Sequence, residues 1–314
     1  MEIRSYTKGD EKAICELFKA VFNKEMTLDY WNWRYANNPT GLQMISLMWD
    51  EDKLAGHYAF SPTQMELNGE KILSGMSMTT MTHPDYRGLG IFPVLAEHLY
   101  REQAVEHGLS FAWGFPNSNS HYIFSKVLKW KDVEQIPTFS LFVDGFKSLT
   151  SSNSIRNGID FKNDIQEFRP AAEGELRVFK SQSYLQWRYI DNPVADYHVF
   201  TLEFDGKICY AITKLFNSFD FNDRVEIDIV ELNFPDDYKS ISELISSILS
   251  FYGTENPVRI NMWLPLNRKN HLLFEKIGFV NTAPVTYLGY RVLGQDINHN
   301  VKQWSYQMGD SDVY

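Results

Sequence analysis

The run His83-Pro84-Asp85-Tyr86-Arg87-Gly88-Leu89-Gly90-Ile91-Phe92 holds the residue types and spacing best suited to chemistry in this chain. Before it lies Ser77-Met78-Thr79-Thr80-Met81-Thr82, rich in β-branched and sulfur side chains. After it comes Val94-Leu95-Ala96-Glu97-His98-Leu99-Tyr100, apolar at helical spacing. The order predicts a strand end, a glycine turn and a helix start. Gly88 and Gly90 remove two Cβ atoms where a ligand approaches the backbone. The first amides of a helix have no intrahelical acceptor and sit at the positive end of its dipole. Such a turn suits a pyrophosphate. It is not a Walker A loop, because no Gly-Lys-Ser/Thr follows, and Pro93 stands where G-x-G-x-x-G needs its third glycine. A sharp strand-to-helix turn also uses glycine for purely structural reasons.

The wider pattern, His-Pro-Asp-Tyr-Arg-Gly-x-Gly-Ile, resembles the acyl-CoA-binding motif of the GNAT (GCN5-related) N-acetyltransferase superfamily. The resemblance implies that amides of Arg87, Gly88, Leu89, Gly90, Ile91 and Phe92 cradle the CoA pyrophosphate. It implies that the strand edge at Met81 and Thr82 pairs with pantetheine, with Asn117 and Phe124 completing the cofactor side. Phe92 departs from the family pattern, which has a small residue there. The implied co-substrate is acetyl-CoA or another acyl-CoA, with no metal.

Acyl transfer from a thioester to an amine needs a neutral amine, donors for the oxyanion and a way for the thiolate to leave. In the family a tyrosine often protonates the sulfur. The matching position here is Phe124, which has no proton to give, and Tyr122 lies on a different helical face. His57, on a strand expected to border the acceptor cleft, is the candidate base, although strand alternation leaves either His57 or Tyr58 facing it. A packing histidine is the plain alternative. Thr79 is a candidate for orienting substrate. The ending Gln307-Met308-Gly309-Asp310-Ser311-Asp312 reads as an ordered tail, and Asp310 is a candidate for holding the incoming ammonium.

The elements that must position these residues are doubled. Tyr30-x-x-Trp33-Arg34-Tyr35-x-x-Asn38-Pro39 returns as Tyr184-x-x-Trp187-Arg188-Tyr189-x-x-Asn192-Pro193, 154 residues later. Asn117-x-x-x-His121-x-x-Phe124-x-Lys126 returns as Asn267-x-x-x-His271-x-x-Phe274-x-Lys276, 150 residues later. Two matches at nearly one offset predict two copies of one fold. The fold class expected is α/β (α+β): two tandem GNAT-like domains, each a mixed, mostly antiparallel twisted sheet flanked by helices. Expected boundaries are 1–148 for the domain with the acyl-CoA site, 149–174 for a linker and 175–314 for a degenerate copy with a C-terminal tail. In copy one we expect strands at Met1–Tyr6, Met44–Trp49, Leu54–Phe60, Ser74–Thr82 and Leu109–Gly114, with Phe139–Val143 completing the unit. Helices are expected at Asp10–Phe22 with Asp10 as N-cap, Leu28–Ala36, Ile91–His107 and Ser120–Leu128. An Asn68-Gly69 hairpin turn is expected. Copy two replaces the glycine turn by Asn233-Phe234-Pro235-Asp236-Asp237, where a pyrophosphate meets like charge. The repeated Trp-Arg-Tyr and His residues are read as fold determinants, each arginine stacking on aromatics and pairing with a carboxylate.

Composition bounds the rest. The 314 residues carry 30 Lys+Arg against 40 Asp+Glu, a net charge of −10, which disfavours a general nucleic-acid or membrane surface. No apolar run spans a bilayer and the N-terminus lacks signal-peptide architecture, so a cytoplasmic protein is expected, monomer or homodimer. Cys15 and Cys209 have no metal or redox spacing and are read as buried thiols. The expected function is direct transfer of an acyl group from acyl-CoA to a small-molecule primary amine. An amino sugar or nucleotide-linked amino sugar is preferred for the chain's 15% aromatic content, the expected two-domain cleft and a general likeness to acyltransferases of cell-surface glycan pathways. The alternatives are a FemAB-like aminoacyl transferase and a non-catalytic CoA sensor.

Overall fold

The computed structural model describes residues 1–146, 155–158, 161, 171–218, 224–266, 268, 270–294 and 301–314. The expected linker, 149–174, falls mostly outside the described residues. Two compact units emerge. Unit 1 comprises Met1–Gln135, Glu173–Val194 and Thr286–Trp304; unit 2 comprises Ile136–Ala172, Ala195–Val285 and Ser305–Tyr314. Each unit therefore draws on both halves of the sequence.

In chain order the elements are β1 (Glu2–Ser5), α1 (Glu11–Phe22), α2 (Leu28–Trp31), β2 (Met44–Asp50), β3 (Lys53–Leu67), β4 (Glu70–Thr82), α3 (Ile91–Arg101), α4 (Gln103–Glu106), β5 (Phe111–Gly114), β6 (Lys131–Phe142), β7 (Arg156–Asn157), β8 (Glu175–Val178), α5 (Gln182–Leu185), β9 (Tyr197–Phe204), β10 (Lys207–Asn217), β11 (Val225–Asn233), α6 (Tyr238–Phe251), β12 (Pro257–Met262), α7 (His271–Ile277), β13 (Val280–Val292) and β14 (Gln303–Ser305).

Unit 1 is built on the order β1-β2-β3-β4-β5 followed by the end of β13. All pairs are antiparallel except β4 with β5. The β3–β4 hairpin turns at Asn68 and Gly69, whose φ values of 52° and 82° are those of a type I′ turn. Helix α3 lays Ile91, Leu95 and Leu99 on Tyr58 and Phe60. That approach needs Gly56, because a Cβ there would stand 2.4 Å from Ile91 Cγ2. Unit 2 has the order β6-β12-β11-β10-β9-β7, with β11 and β12 parallel and the other pairs antiparallel. Helices α6 and α7 bury Ile241, Leu244, Ile245 and Phe274 against Ile227 and Ile229.

The two units repeat one strand order, and each is closed by a strand from the other half of the sequence. Gly289–Val292 of β13 pairs with β5 in unit 1, and Phe139–Phe142 of β6 pairs with β12 in unit 2. Phe139–Val143 thus does not complete the first copy, contrary to expectation. Periodicity reports a strand's existence but not its partner.

Three local expectations are corrected. Asp10 does not cap α1 with its side chain; its carboxylate takes Arg4 Nη1 and Nη2 at 2.6 and 2.7 Å instead. The helix expected over Ile91–His107 breaks at Glu102 into α3 and α4. Cys15 is only half-buried, whereas Cys209 is buried and its thiol is pushed up to about 11 by desolvation. No helix among the described residues is long and apolar enough to cross a membrane.

Candidate active site

Strands β4 and β5 run parallel only from Ser74 to Met76, opposite Phe111 to Trp113. Beyond that β5 stops at Gly114 while β4 continues to Thr82. Among the described residues, the far edge of β4 from Ser77 onward therefore has no strand beside it, and its backbone groups face the gap of a splayed pair.

On its other edge β4 is bulged. Ala59 pairs with Met78 and His57 with Met81, so Thr79 and Thr80 both stand opposite Tyr58. Thr79 takes φ 49°, the left-handed region, at a β-branched residue. The imidazole Nδ1–H of His57 donates to the Thr79 carbonyl at 2.8 Å, which fixes the tautomer and leaves Nε2 as a bare acceptor. His57 is fully buried, and desolvation lowers its pKa to about 4, so the ring is neutral. Tyr58 points to the opposite face, where it meets Phe92 at 5.4 Å and the Tyr100 hydroxyl at 3.0 Å. Strand alternation is thus resolved: His57 faces away from α3 and Tyr58 toward it, both without solvent.

The chain leaves β4 through a short turn at Pro84–Tyr86, with the His83 ring accepting from the Asp85 amide at 3.2 Å. Arg87, Gly88, Leu89 and Gly90 are exposed. Gly88 and Gly90 have φ of 81° and 71°, and Gly90 is the N-cap residue of α3 with no side chain to occupy the helix end. The amides of Gly88, Leu89, Gly90, Ile91 and Phe92 have no backbone acceptor among the described residues. They lie in sequence at the positive end of an 11-residue helix. Phe92 does not obstruct this surface, because its ring turns inward against Tyr58 and Phe124.

The other predicted residues stand as follows. Met81 is buried and Thr82 half-buried on β4. Phe124 is buried between Phe92 and Trp130, in a wide turn closed by Leu128 N–H on the Ile123 carbonyl at 2.9 Å. Asn117 uses its side-chain oxygen to hold the Asn119 and Ser120 amides at 3.0 and 3.2 Å. His121 stacks on Tyr287 at 3.8 Å and bonds Asp132, while His271 stacks on Phe139 at 4.5 Å in unit 2, so the repeated histidine is a packing residue in both copies. Asp310 belongs to unit 2, where its Oδ2 accepts from the Gln307 amide at 2.8 Å.

Unit 2 carries the same splay but fills it. Past Asp228, β11 continues beyond its pairing with β12, and Gln307 Oε1 accepts from the Leu232 amide at 2.6 Å. The Gln307 amide nitrogen donates to Glu231. At the start of α6, Asp237 is the N-cap and its carboxylate takes the Ser240 amide at 2.8 Å. The helix start that is a bare glycine turn in unit 1 is thus capped by the chain's own carboxylate in unit 2.

Sequence reading missed two contributors. Gly56 was visible as a glycine inside a strand, a sign of close approach. Arg34 was read as one half of an ion pair, yet no carboxylate lies within salt-bridge distance of it among the described residues; its Nε donates to Met78 Sδ at 3.1 Å. Trp33 and Trp187 edge an open cavity of about 510 Å³ with Asp29, Asn37 and Asp191, but both indoles are nearly buried.

Residues 2–124 match the family model described as an acetyltransferase (GNAT) domain. This segment is a GNAT domain. Its class is that of acyl-CoA-dependent N-acyltransferases. No curated protein sequence matches the chain. Solved structures extend the fold likeness to nearly its full length. A probable N-acyltransferase from Enterococcus faecalis V583 aligns with TM-score 0.68 at 16% identity, over 93% of this chain and 72% of that one. A GCN5-related N-acetyltransferase from Anabaena variabilis aligns with TM-score 0.66 at 12% identity, over 93% and 73%. The N-myristoyltransferase of Saccharomyces cerevisiae, solved with myristoyl-CoA, aligns with TM-score 0.63 at 14% identity, over 93% and 80%.

Proposed function

We propose that the chain transfers an acyl group from acyl-CoA directly to a primary amine, using one site in the N-terminal copy. The observation that carries this reading is the set of five unbonded amides from Gly88 to Phe92 beside the open edge of β4. The diphosphate would lie on those amides, with Arg87 adding positive charge, and the pantetheine would extend along the strand edge toward Met81 and Thr82. The bulge at Thr79 would set the thioester where an amide of the open edge receives the oxyanion.

In the reaction the amine lone pair attacks the thioester carbon, a C–N bond forms and the C–S bond breaks. The thiolate departs without help from Phe124, which carries no acidic proton. His57 accepts an N–H hydrogen bond through Nε2, but with a pKa near 4 it is too weak a base to deprotonate an ammonium. The amine therefore arrives neutral, and its proton passes to water after attack. Aromatic content is one of the grounds for an amino-sugar acceptor; Trp31, Trp113 and Tyr35 are fully buried in unit 1, which weakens that ground.

The test is thiol release from acetyl-CoA and myristoyl-CoA against a panel of primary amines, with calorimetry of CoA binding alongside. Amine-dependent release supports transfer. Tight CoA binding without release for any amine leaves the sensor reading, and binding of charged tRNA in place of CoA leaves the aminoacyl-transferase reading.

A further inference from the structure

Arg34 is the anomaly of unit 1. It keeps 4% of its surface exposed, between buried Trp33 and Tyr35. All three are turned inward by a wide turn in which the Asn37 amide reaches back to the Asn32 carbonyl at 2.8 Å. Two other arginines with little exposure face carboxylates instead: Arg177 faces Glu66 at 2.8 Å and Arg259 faces Glu226 at 2.6 Å. Arg34 faces a thioether, a weak acceptor, and its Nη2 is buried with no hydrogen-bond partner among the described residues. Its guanidinium lies 5.7 and 6.0 Å from the Trp33 and Trp187 ring centres, contacts that offset only part of the lost hydration.

A second orphan lies on the same face of the sheet. His57 Nε2 is buried and has no donor among the described residues. Met78, the partner of Arg34, pairs with Ala59, two residues along β3 from His57. By strand repeat the two positions are about 7 Å apart. One orphan is a cationic donor, the other a neutral acceptor, and the Thr79 bulge lies between their strand positions. That combination is the complement of a molecule presenting an amine N–H and, a few ångströms away, a carboxylate.

We infer that the acceptor is an amine that also bears a carboxylate, a free or chain-terminal amino acid, and that Arg34 is the residue that selects it. The inference rests on the acyl-transfer reading above. Arg34 receives the carboxylate through its unpaired N–H groups, and His57 Nε2 receives an amine N–H, holding the nitrogen beside the bulge. Entry is from the bulge, where Thr79 and Thr80 are half-exposed, and the unbranched Met78 side chain yields to let the carboxylate reach the guanidinium. A carboxylate against a planar guanidinium in a desolvated site is the bidentate pairing arginine is suited to.

The experiment uses the full chain and matched acceptors: tyrosine with tyramine, phenylalanine with phenethylamine, lysine with cadaverine. Thiol release from acetyl-CoA and myristoyl-CoA is read as kcat/KM, and binding of each acceptor to the CoA-loaded protein is read by calorimetry. The carboxylate-bearing member is expected to exceed its partner by tenfold or more for at least one pair. Arg34→Met is expected to erase that preference while leaving acetyl-CoA affinity unchanged, and Arg34→Lys to retain part of it. Because the substitution removes an unpaired buried charge, the melting temperature of Arg34→Met without acceptor should stay level or rise; a structural arginine would give a fall. Equal or better use of the decarboxylated amines, or an unchanged preference in Arg34→Met, overturns the inference. Arg34-dependent amino-acid binding with no acylation of any amine would sink the transfer reading and keep the carboxylate site; no amino-acid binding at all overturns the site.

Discussion

The indole of Trp33 donates to the backbone carbonyl of Trp187 at 2.7 Å, and the indole of Trp187 donates to the carbonyl of Trp33 at 2.8 Å. The rings stack with centres 5.2 Å apart and planes 21° apart. The two residues occupy the same place in the repeated Trp-Arg-Tyr motif, 154 positions apart, and both lie in unit 1. Each sits in a wide turn closed by an i→i+5 bond, from Asn37 to Asn32 and from Asp191 to Gln186. The reciprocal pair fastens the 173–194 segment to the N-terminal copy and holds Arg34 beneath it.

Replacing either tryptophan by phenylalanine leaves one buried carbonyl without its donor. Each single substitution should cost about 1–3 kcal/mol in denaturant unfolding. The double substitution should cost less than the sum, because both bonds belong to one stacked unit. Additive losses would show that the two bonds act independently.

Gly90→Ala places a side chain at φ 71°, although nothing lies within 4 Å of the new Cβ. The penalty is one of backbone conformation, about 1 kcal/mol. Gly88→Asp adds a negative charge where the diphosphate is expected. Acetyl-CoA affinity should fall at least tenfold in Gly88→Asp with a melting temperature within a few degrees of the parent. Unchanged affinity would move the diphosphate elsewhere.

His57 gives a pH signature with a defined sign. Its folded pKa of about 4 lies below the ordinary 6.5, so the unfolded chain binds the proton first as pH falls. The contribution of the neutral buried ring is complete above pH 6.5 and is lost as pH drops toward 4, by about 3 kcal/mol in all. Unfolding free energy measured between pH 4 and 7 should therefore slope less steeply upward in His57→Gln than in the parent. Equal slopes would place the titrating group elsewhere.

Asp228 in unit 2 acts in the opposite direction. Burial raises its carboxyl to about 7, against a hydrogen bond from Asn261 Nδ2 at 3.2 Å that lowers it. Here the folded protein holds the proton longer, so the stabilising contribution is present at pH 4 and lost as pH rises to 7. Asp228→Asn should be more stable than the parent at pH 8 and no more stable at pH 4. Equal stability at both pH values would show that Asp228 ionises freely.

The tail is expected to act through unit 2 packing. Truncation after Gln307 removes buried Met308 and Asp310, whose carboxylate holds the Gln307 amide that positions the side chain on Leu232. The melting temperature should fall by several degrees. A tail that only touches substrate would lower turnover and leave the melt unchanged.

Much of this was legible in the residues. Gly88, Gly90 and the apolar spacing after them define the strand, turn and helix, because positive φ and helical periodicity are local properties. Asn68-Gly69 fixes its hairpin for the same reason. The twofold recurrence of Trp-Arg-Tyr was visible, but the bond between Trp33 and Trp187 was not, since nothing in a motif says that it meets its own copy. The exchange of β6 and β13 was hidden likewise: strand patterning does not name a partner. The ion pair expected for Arg34 failed because residue type reveals a charge and its neighbours in the fold decide whether that charge is matched.

The central claim is that one copy holds acyl-CoA and the other, with Asp237 capping α6 and Gln307 on the Leu232 amide, does not. Calorimetric titration of acetyl-CoA into the full chain tests it most directly. One equivalent per chain, abolished by Gly88→Asp, is the predicted result; two equivalents, or one equivalent that survives Gly88→Asp, would contradict it.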